Sequence, residues 1–190
     1  SRHPPENMLL KVSAGKVLLN KEKQDAYYGW DNEYGQHEAE IEEFEASKYL
    51  VSNQEYLNFV EAHGYQTPEY WLEEGRSWLE FSQASHPTFW IKKKQGWFLR
   101  LMTEEVPMRW DWPVEVNYHE AKAFCLWKKT TSGLTVRLPT EDEWYRLYDI
   151  AGLKELNDHP ADSNLHLDYA ASSCPIDQFQ HGDFFDVRGN

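Results

Sequence analysis

The sequence is poor in cysteine, in basic charge and in long apolar runs. Two cysteines, Cys125 and Cys174, in 190 residues exclude a disulfide framework and a multi-cysteine zinc site, and a reducing cytoplasm is expected. Lysine and arginine number 19 against 32 acidic residues, a formal charge of −13. That balance argues against nucleic acid and anionic membrane as main partners, because phosphate-rich surfaces are met by a basic footprint. Mean hydropathy is −0.78, and no apolar run reaches the ~18 residues of a membrane span. The N-terminus carries no basic stretch followed by an apolar one, so no secretory signal is read there. The sequence also lacks G-x-S-x-G, P-loop and G-x-G-x-x-G motifs. Its eight histidines never fall at H-x-H, H-x-x-H or H-x-x-x-H.

What the chain has instead is aromatics, 15% of all residues with nine tryptophans. In a hydrophilic chain such rings build a core where regular structure is scarce, or line pockets. The spacing predicts an N-terminal hairpin, 8–12 against 16–19, turned at Ser13-Ala14-Gly15. Turn formers follow at Tyr28-Gly29-Trp30-Asp31-Asn32-Glu33, then a half-exposed alternating strand from His37 to Phe44. Its acidic run, Glu38 to Glu45, reads as a solvated strand edge that discourages edge pairing.

Three helices are predicted, each about 10–12 residues long. Ser52-Asn53-Gln54-Glu55 is a capping-box pattern, followed by Tyr56, Phe59, Val60 and His63 at helical spacing and stopped at Gly64. Asn117-Tyr118-His119-Glu120 starts the second, with Ala121, Phe124 and Cys125 on its apolar face and Gly133 at its end. Thr140-Glu141-Asp142-Glu143 starts the third, with Trp144, Leu147, Tyr148 and Ala151 as its stripe and Gly152 after it. Between the first two lies an aromatic-rich stretch, 65–112, containing a second hairpin, 89–91 against 97–101. From Asp158 to Asn190 the chain reads as ordered loops.

For chemistry, two His-x-Asp triplets exist, His166-Leu167-Asp168 and His181-Gly182-Asp183, the shape of part of an iron(II) facial triad. Eight histidines and 32 acids in 190 residues give about one such triplet by chance, which favours loop hydrogen bonding. Cys125 reads as a core residue. Cys174, before Pro175, is expected in a loop open to solvent. Composition and spacing thus lead to an acidic α+β domain and no named activity.

Three strings go further. Pro113 to Trp127 (PVEVNYHEAKAFCLW), Arg137 to Trp144 (RLPTEDEW) and Asp186 to Asn190 (DVRGN) resemble the signature of the formylglycine-generating-enzyme, or sulfatase-modifying factor, family. Val12 to Gly15 and Val51 to Tyr56 are similar to its opening turn and first helix entry. The resemblance runs from about Met8 to Asn190 and implies an α+β fold related to C-type lectins, with short helices, hairpins and many ordered loops.

Within that family, Gly29 to Glu33, His86 to Trp90 and Trp110 to Pro113 resemble the sulfoxide synthases of thiol-histidine biosynthesis, the ovothiol type (5-histidylcysteine sulfoxide synthase) before the ergothioneine type. The resemblance implies coupling of cysteine to histidine with O₂ at a non-haem iron(II). The iron would be held by a helical-bundle domain with an H-x-x-x-H-x-E motif that this sequence does not contain. A methyltransferase domain accompanies the ovothiol type. The family motif runs on past Gly189-Asn190, so 1–190 is expected to be one domain truncated at its C-terminal end, inactive alone. Trp30, Asp31 and Arg188 become candidates for a substrate pocket or domain interface, as charged groups can orient amino-acid substrates. Asn164, Leu165, Asp186 and Gly189 become candidate ligands of structural calcium, with Asp168 as a substitute donor. The cysteine pair of true formylglycine generation has no match. A non-catalytic lectin-like binding module is the remaining alternative.

Overall fold

The computed structural model describes residues 2–21, 23–24, 28–153, 163–165 and 169–190. Two antiparallel arms open the chain. One holds β1 (Leu9–Val12) and β2 (Gly15–Lys21), the other β3 (Gly35–Ile41) and β4 (Phe44–Ser47). The hairpin expected between the first two segments does not form: β1 pairs with β4 and β2 with β3. Val12 faces Phe44 and Gly15 faces Ile41, three positions on in one arm and three back in the other. The four strands are therefore one ribbon in a single register, interrupted at 13–14 and 42–43.

Cross-strand chemistry explains why this register wins over the local turn. It sets Leu10 opposite Ala46, Val12 opposite Phe44 and Val17 opposite Ala39, and it sets Lys11 opposite Glu45 and Lys16 opposite Glu40. Such opposed pairs are the unit of sheet stabilisation. The acidic run is correspondingly answered: Lys16 Nζ lies 3.1 Å from Glu38 and 3.3 Å from Glu40, and Lys11 Nζ 3.1 Å from Glu43.

The interruption is clamped from outside. Arg146 donates through Nε to the Ser13 carbonyl (2.8 Å) and through an Nη to Ser13 Oγ (2.9 Å) and the Ala14 carbonyl (3.1 Å). A Cβ on Gly15 would stand 2.6 Å from the Arg146 guanidinium carbon. Gly15→Ala should therefore displace Arg146. Each of Gly15→Ala and Arg146→Ala is expected to cost about 1 kcal/mol, and the double variant little more than either. Urea melts of the four proteins check this; full additivity would separate the two residues.

The three predicted helices form as α1 (Asn53–Glu61), α3 (Tyr118–Ser132) and α4 (Glu141–Ile150). At 15 residues α3 exceeds the expected length; nothing in its sequence breaks the helix before Gly133, which takes the left-handed conformation at φ +74°. The reciprocal capping box is complete at Asn117/Glu120 and Thr140/Glu143. At α1 only half of it forms. Ser52 accepts the Glu55 N–H, but the Glu55 carboxylate turns to Asn7 Nδ2 (3.1 Å) and Lys128 Nζ (2.7 Å). A fourth helix, α2 (Glu73–Ser82), sits in the aromatic stretch. Its N-cap is Leu72 and Gly75 lies in its interior, so neither usual start signal nor propensity marks it. Gly75 faces Trp71 and His119, where a Cβ would make ordinary contacts of 3.4 and 3.5 Å. The second hairpin forms as β5 (Trp90–Lys93) and β6 (Gly96–Arg100), extended by β7 (Glu105–Pro107).

The described residues form two apolar clusters. The larger contains Tyr56, Phe59, Tyr65, Trp71, Trp90, Phe124 and Trp127, with Trp78, Trp97, Trp110 and Trp112 packed against it. Most of the tryptophans are therefore core, and the two most buried have their ring nitrogens satisfied: Trp71 Nε1 donates to the Gly64 carbonyl at 2.9 Å and Trp90 Nε1 to Asn53 Oδ1 at 3.0 Å. The Trp110–Trp112 loop caps α1, its carbonyls accepting from Asn53 and Gln54 N–H at 2.8 and 3.0 Å. The smaller cluster joins Val12, Ala151, Leu153, Phe184 and Val187. It lies where the open end of the ribbon meets α4 and the C-terminal hairpin β8 (Gln180–His181) and β9 (Phe184–Phe185).

At the start of α4, Arg137 grips Glu143 with both nitrogens (2.7 and 2.5 Å) while Glu143 accepts from Thr140 N–H (2.8 Å). Arg137 above all, with the Thr140 N–H, pulls the Glu143 carboxyl down to about 2. Because its folded value lies below the unfolded one, this stabilisation is complete above about pH 4.5 and is lost as pH falls toward 2. Glu143→Gln should flatten acid unfolding in that window; an unchanged pH profile would contradict the assignment.

Candidate functional site

The C-terminal loops converge beneath α4. Trp144 Nε1 donates to the Val187 carbonyl at 3.1 Å. Asn190 ties three segments together: its Oδ1 accepts the Cys174 N–H at 2.7 Å, and its Nδ2 donates to the Cys174 carbonyl at 3.1 Å and to Asp186 Oδ2 at 2.9 Å. Asp186 is 4% exposed, takes a left-handed φ of +49°, and its Oδ1 has no hydrogen-bond partner among the described residues. Burial pushes its carboxyl up to about 7. Cys174 does not lie open to solvent as expected. It is 3% exposed, and burial, reinforced by Asp186, pushes its thiol up to about 12, the opposite of a reactive cysteine. Cys125 lies at the flank of α3 rather than in the buried face, which is Glu120, Ala123, Phe124 and Trp127. Its thiol too is raised by burial.

Of the four residues named for calcium, Gly189 approaches Leu165 and Asn164, and Asp186 lies three positions before Gly189 in the chain. A Cβ on Gly189 would lie 2.5 Å from Leu165 Cδ2 and 3.2 Å from the Asn164 carbonyl oxygen. The Asn164 side chain is already engaged, its Nδ2 on the Ser172 carbonyl (2.9 Å) and its Oδ1 on the Ala170 N–H (3.2 Å). Loop hydrogen bonding thus accounts for that side chain, leaving its carbonyl and the unpartnered Asp186 oxygen as hard donors. Asp168 and the whole triplet His166-Leu167-Asp168 lie outside the described residues. In the other triplet His181 is buried at the end of β8 and Asp183 is exposed in the turn. Among the described residues no three His, Cys, Asp or Glu side chains converge as a metal-binding group, so these residues do not offer iron a ligand set.

Trp30 and Asp31 share one loop, and Arg188 belongs to the C-terminal segment beneath α4. Trp30 and Asp31 enter a short 3-10 turn (Asp31–Glu33) in the loop that joins β2 to β3 at the closed end of the ribbon. Trp30 is 66% exposed and meets Tyr28 edge-to-face at 5.4 Å. Asp31 caps locally, accepting the Asn32 N–H at 3.1 Å. Arg188 is half-buried and follows Val187, which packs with Val12.

One polar cluster escaped the sequence reading. Tyr65 donates to Glu120 Oε1 at 2.5 Å, Asn117 N–H to Oε2 at 2.8 Å, and the Tyr56 hydroxyl donates to the Glu120 carbonyl at 3.4 Å. Glu120 is 2% exposed, and burial raises its carboxyl. The capping box marked Glu120, but no local signal marks Tyr65, 55 residues away.

Comparison with known proteins places this geometry. Over 135 residues the chain is 30% identical to hercynine oxygenase of Mycolicibacterium smegmatis, covering 70% of this chain and 29% of that protein. It is equally similar to hercynine oxygenase of Mycobacterium tuberculosis over 131 residues, covering 67% and 28%. The matched stretch is thus under a third of the length of these curated relatives. No helix among the described residues is long and apolar enough to cross a membrane. The α+β architecture of short helices, small sheets and ordered loops agrees with the family model of the sulfatase-modifying factor enzyme 1-like domain, which matches residues 1–170, and the chain belongs to that family.

Proposed function

We propose that this chain is the central domain of a cytoplasmic, iron(II)- and O₂-dependent sulfoxide synthase that joins a cysteine sulfur to the imidazole carbon of a histidine. The observation that carries the reading is the 30% identity to hercynine oxygenases across 70% of the chain. The iron would be supplied by a helical-bundle domain of the same protein. A methyltransferase domain would complete the ovothiol type. When bound, the iron supplies the electrons that activate O₂. The domain's own residues bind and orient. The exposed Tyr28/Trp30 pair offers apolar surface to a neighbouring domain, and Arg188 offers a planar donor set for a substrate carboxylate.

Histidine is the substrate in the ovothiol reading, which rests on the strings 29–33, 86–90 and 110–113. The second reading, an ergothioneine-type synthase acting on the trimethylated histidine hercynine, is favoured by the relatives' names. Competition between histidine and hercynine for cysteine in the complete protein, read by mass spectrometry, decides between them. If neither is coupled to cysteine, the proposal fails.

Structural calcium at Asp186, Gly189, Leu165 and the Asn164 carbonyl is a further part of the proposal, supported by the buried, half-satisfied Asp186 carboxylate. Calcium at 100 times its Kd would add about 2.7 kcal/mol. It should raise the melting temperature of the natural chain and leave Asp186→Asn unmoved. An equal response in both would remove Asp186 from the site.

A further inference from the structure

Away from the loops just described, the larger core holds a file of oxidisable rings. Trp78, half-buried on α2, stacks on Trp71 at 5.9 Å between centroids with 23° between planes. Trp71 meets Tyr65 at 5.4 Å. The hydroxyls of Tyr65 and Tyr56 are 3.5 Å apart. Tyr56 lies edge-on to Trp90 at 6.3 Å, and Trp90 to Trp97 at 5.4 Å. The four inner rings are each at most 4% exposed, while Trp78 and Trp97 are half-buried. The file therefore crosses the core and opens toward solvent at both ends. Indole and phenol are core side chains that yield a single electron, and exchange between them requires rings in or near contact.

One ring of the file has a base. Tyr65 donates its hydroxyl hydrogen to Glu120 Oε1 at 2.5 Å, while the Asn117 N–H at 2.8 Å holds the other carboxylate oxygen. A buried phenol that loses an electron must also lose its proton, because the cation is costly in low dielectric. Only a group already hydrogen-bonded to it can take that proton in place.

We propose that this file is a one-electron relay with Tyr65 as its resting point. An indole radical cation at Trp71 takes one electron from Tyr65 and returns to the neutral closed-shell ring. The Tyr65 O–H bond breaks, its proton passes to Glu120 Oε1, and a neutral phenoxyl radical is left facing a neutral carboxylic acid. A reductant of the thiol or enediol class at the Trp78 end supplies the returning electron, and Glu120 returns the proton. In the cell the initiating oxidant belongs to oxygen-activation chemistry, and that source alone rests on the proposed function.

The test needs neither iron nor O₂, so sulfoxide synthesis can fail while the relay stands, and the reverse. A ruthenium polypyridyl sensitiser is attached at Glu74→Cys, one helical turn from Trp78, in a Cys125→Ser background, and flash-quenched with a cobalt(III) acceptor. The expected result is a neutral tyrosyl radical by electron paramagnetic resonance, lost in Tyr65→Phe and retained in Tyr56→Phe. Its rise should slow in D₂O and slow further in Glu120→Gln. Near-UV circular dichroism confirms that each variant is folded, and the isotope effect reads the natural sequence at these positions. A tyrosyl signal unchanged in Tyr65→Phe, or no tyrosyl radical before substitution, overturns the relay.

Discussion

Phe59→Ala is expected to lower the folding free energy by about 3–5 kcal/mol, the usual cost of emptying a phenylalanine site in a packed core. Phe59 is fully buried and meets six aromatic neighbours, edge-on or tilted: Tyr56 at 5.4 Å, Tyr65 at 5.7 Å, Trp127 at 5.8 Å, Tyr70 and Phe124 at 6.2 Å and Trp71 at 6.4 Å. Rigid rings close around a void poorly, so the cost falls at the upper part of the range. The same packing fixes Gly64, where a Cβ would stand 2.1 Å from Phe59 Cε2. Gly64→Ala should therefore destabilise too, by about 1–3 kcal/mol for an overpacked site. In the Phe59→Ala background most of that penalty should vanish. Denaturant melts of the two single variants and the double variant read this coupling, and additive losses would contradict it.

Glu120→Ala is expected to cost about 2–3 kcal/mol, since Tyr65 and Asn117 N–H would both be left buried without their acceptor. Asn117→Ala, which removes only the side-chain half of the cap, should cost about 1 kcal/mol. If the two losses are equal, Glu120 is a helix cap and nothing more. If Glu120→Ala costs clearly more, and Tyr65→Phe recovers part of the loss in the double variant, the buried Tyr65–Glu120 bond accounts for the excess.

Helix starts were the most legible part of this chain. Ser52, Asn117 and Thr140 lie at three N-caps because a side-chain acceptor three residues before a backbone N–H is a local fact, readable without tertiary contacts. Strand partners were less so. Ser13-Ala14-Gly15 has the composition of a turn, yet the opposed pairs Val12–Phe44 and Lys16–Glu40 lie some thirty residues away. α2 is not marked locally because its N-cap is Leu72 and it carries Gly75 inside, where propensity disfavours a helix. The candidate site divided the same way. Gly189, Asn164 and Leu165 were named from a resemblance and do come together, whereas no local signal marks Trp30, Asp186 or Arg188, named from the same source. Cys174 misled because a Cys-Pro loop reads as exposed, whereas it is buried in a segment that Asn190, sixteen residues on, ties down.

These features bear on function through what the domain can hold still. The ribbon closes in a loop that presents Tyr28 and Trp30, and the loops under α4 hold Arg188 and Asp186 on a framework fixed by Asn190 and Trp144. The most direct measurement is oxygen stoichiometry in the complete protein, loaded with iron(II) and given cysteine and the accepted histidine substrate. Coupling a thiol S–H and an imidazole C–H with O₂ gives one sulfoxide and one water, so one sulfoxide is expected per O₂ consumed. Oxygen uptake that yields only oxidised cysteine, indifferent to the histidine substrate, would contradict the account.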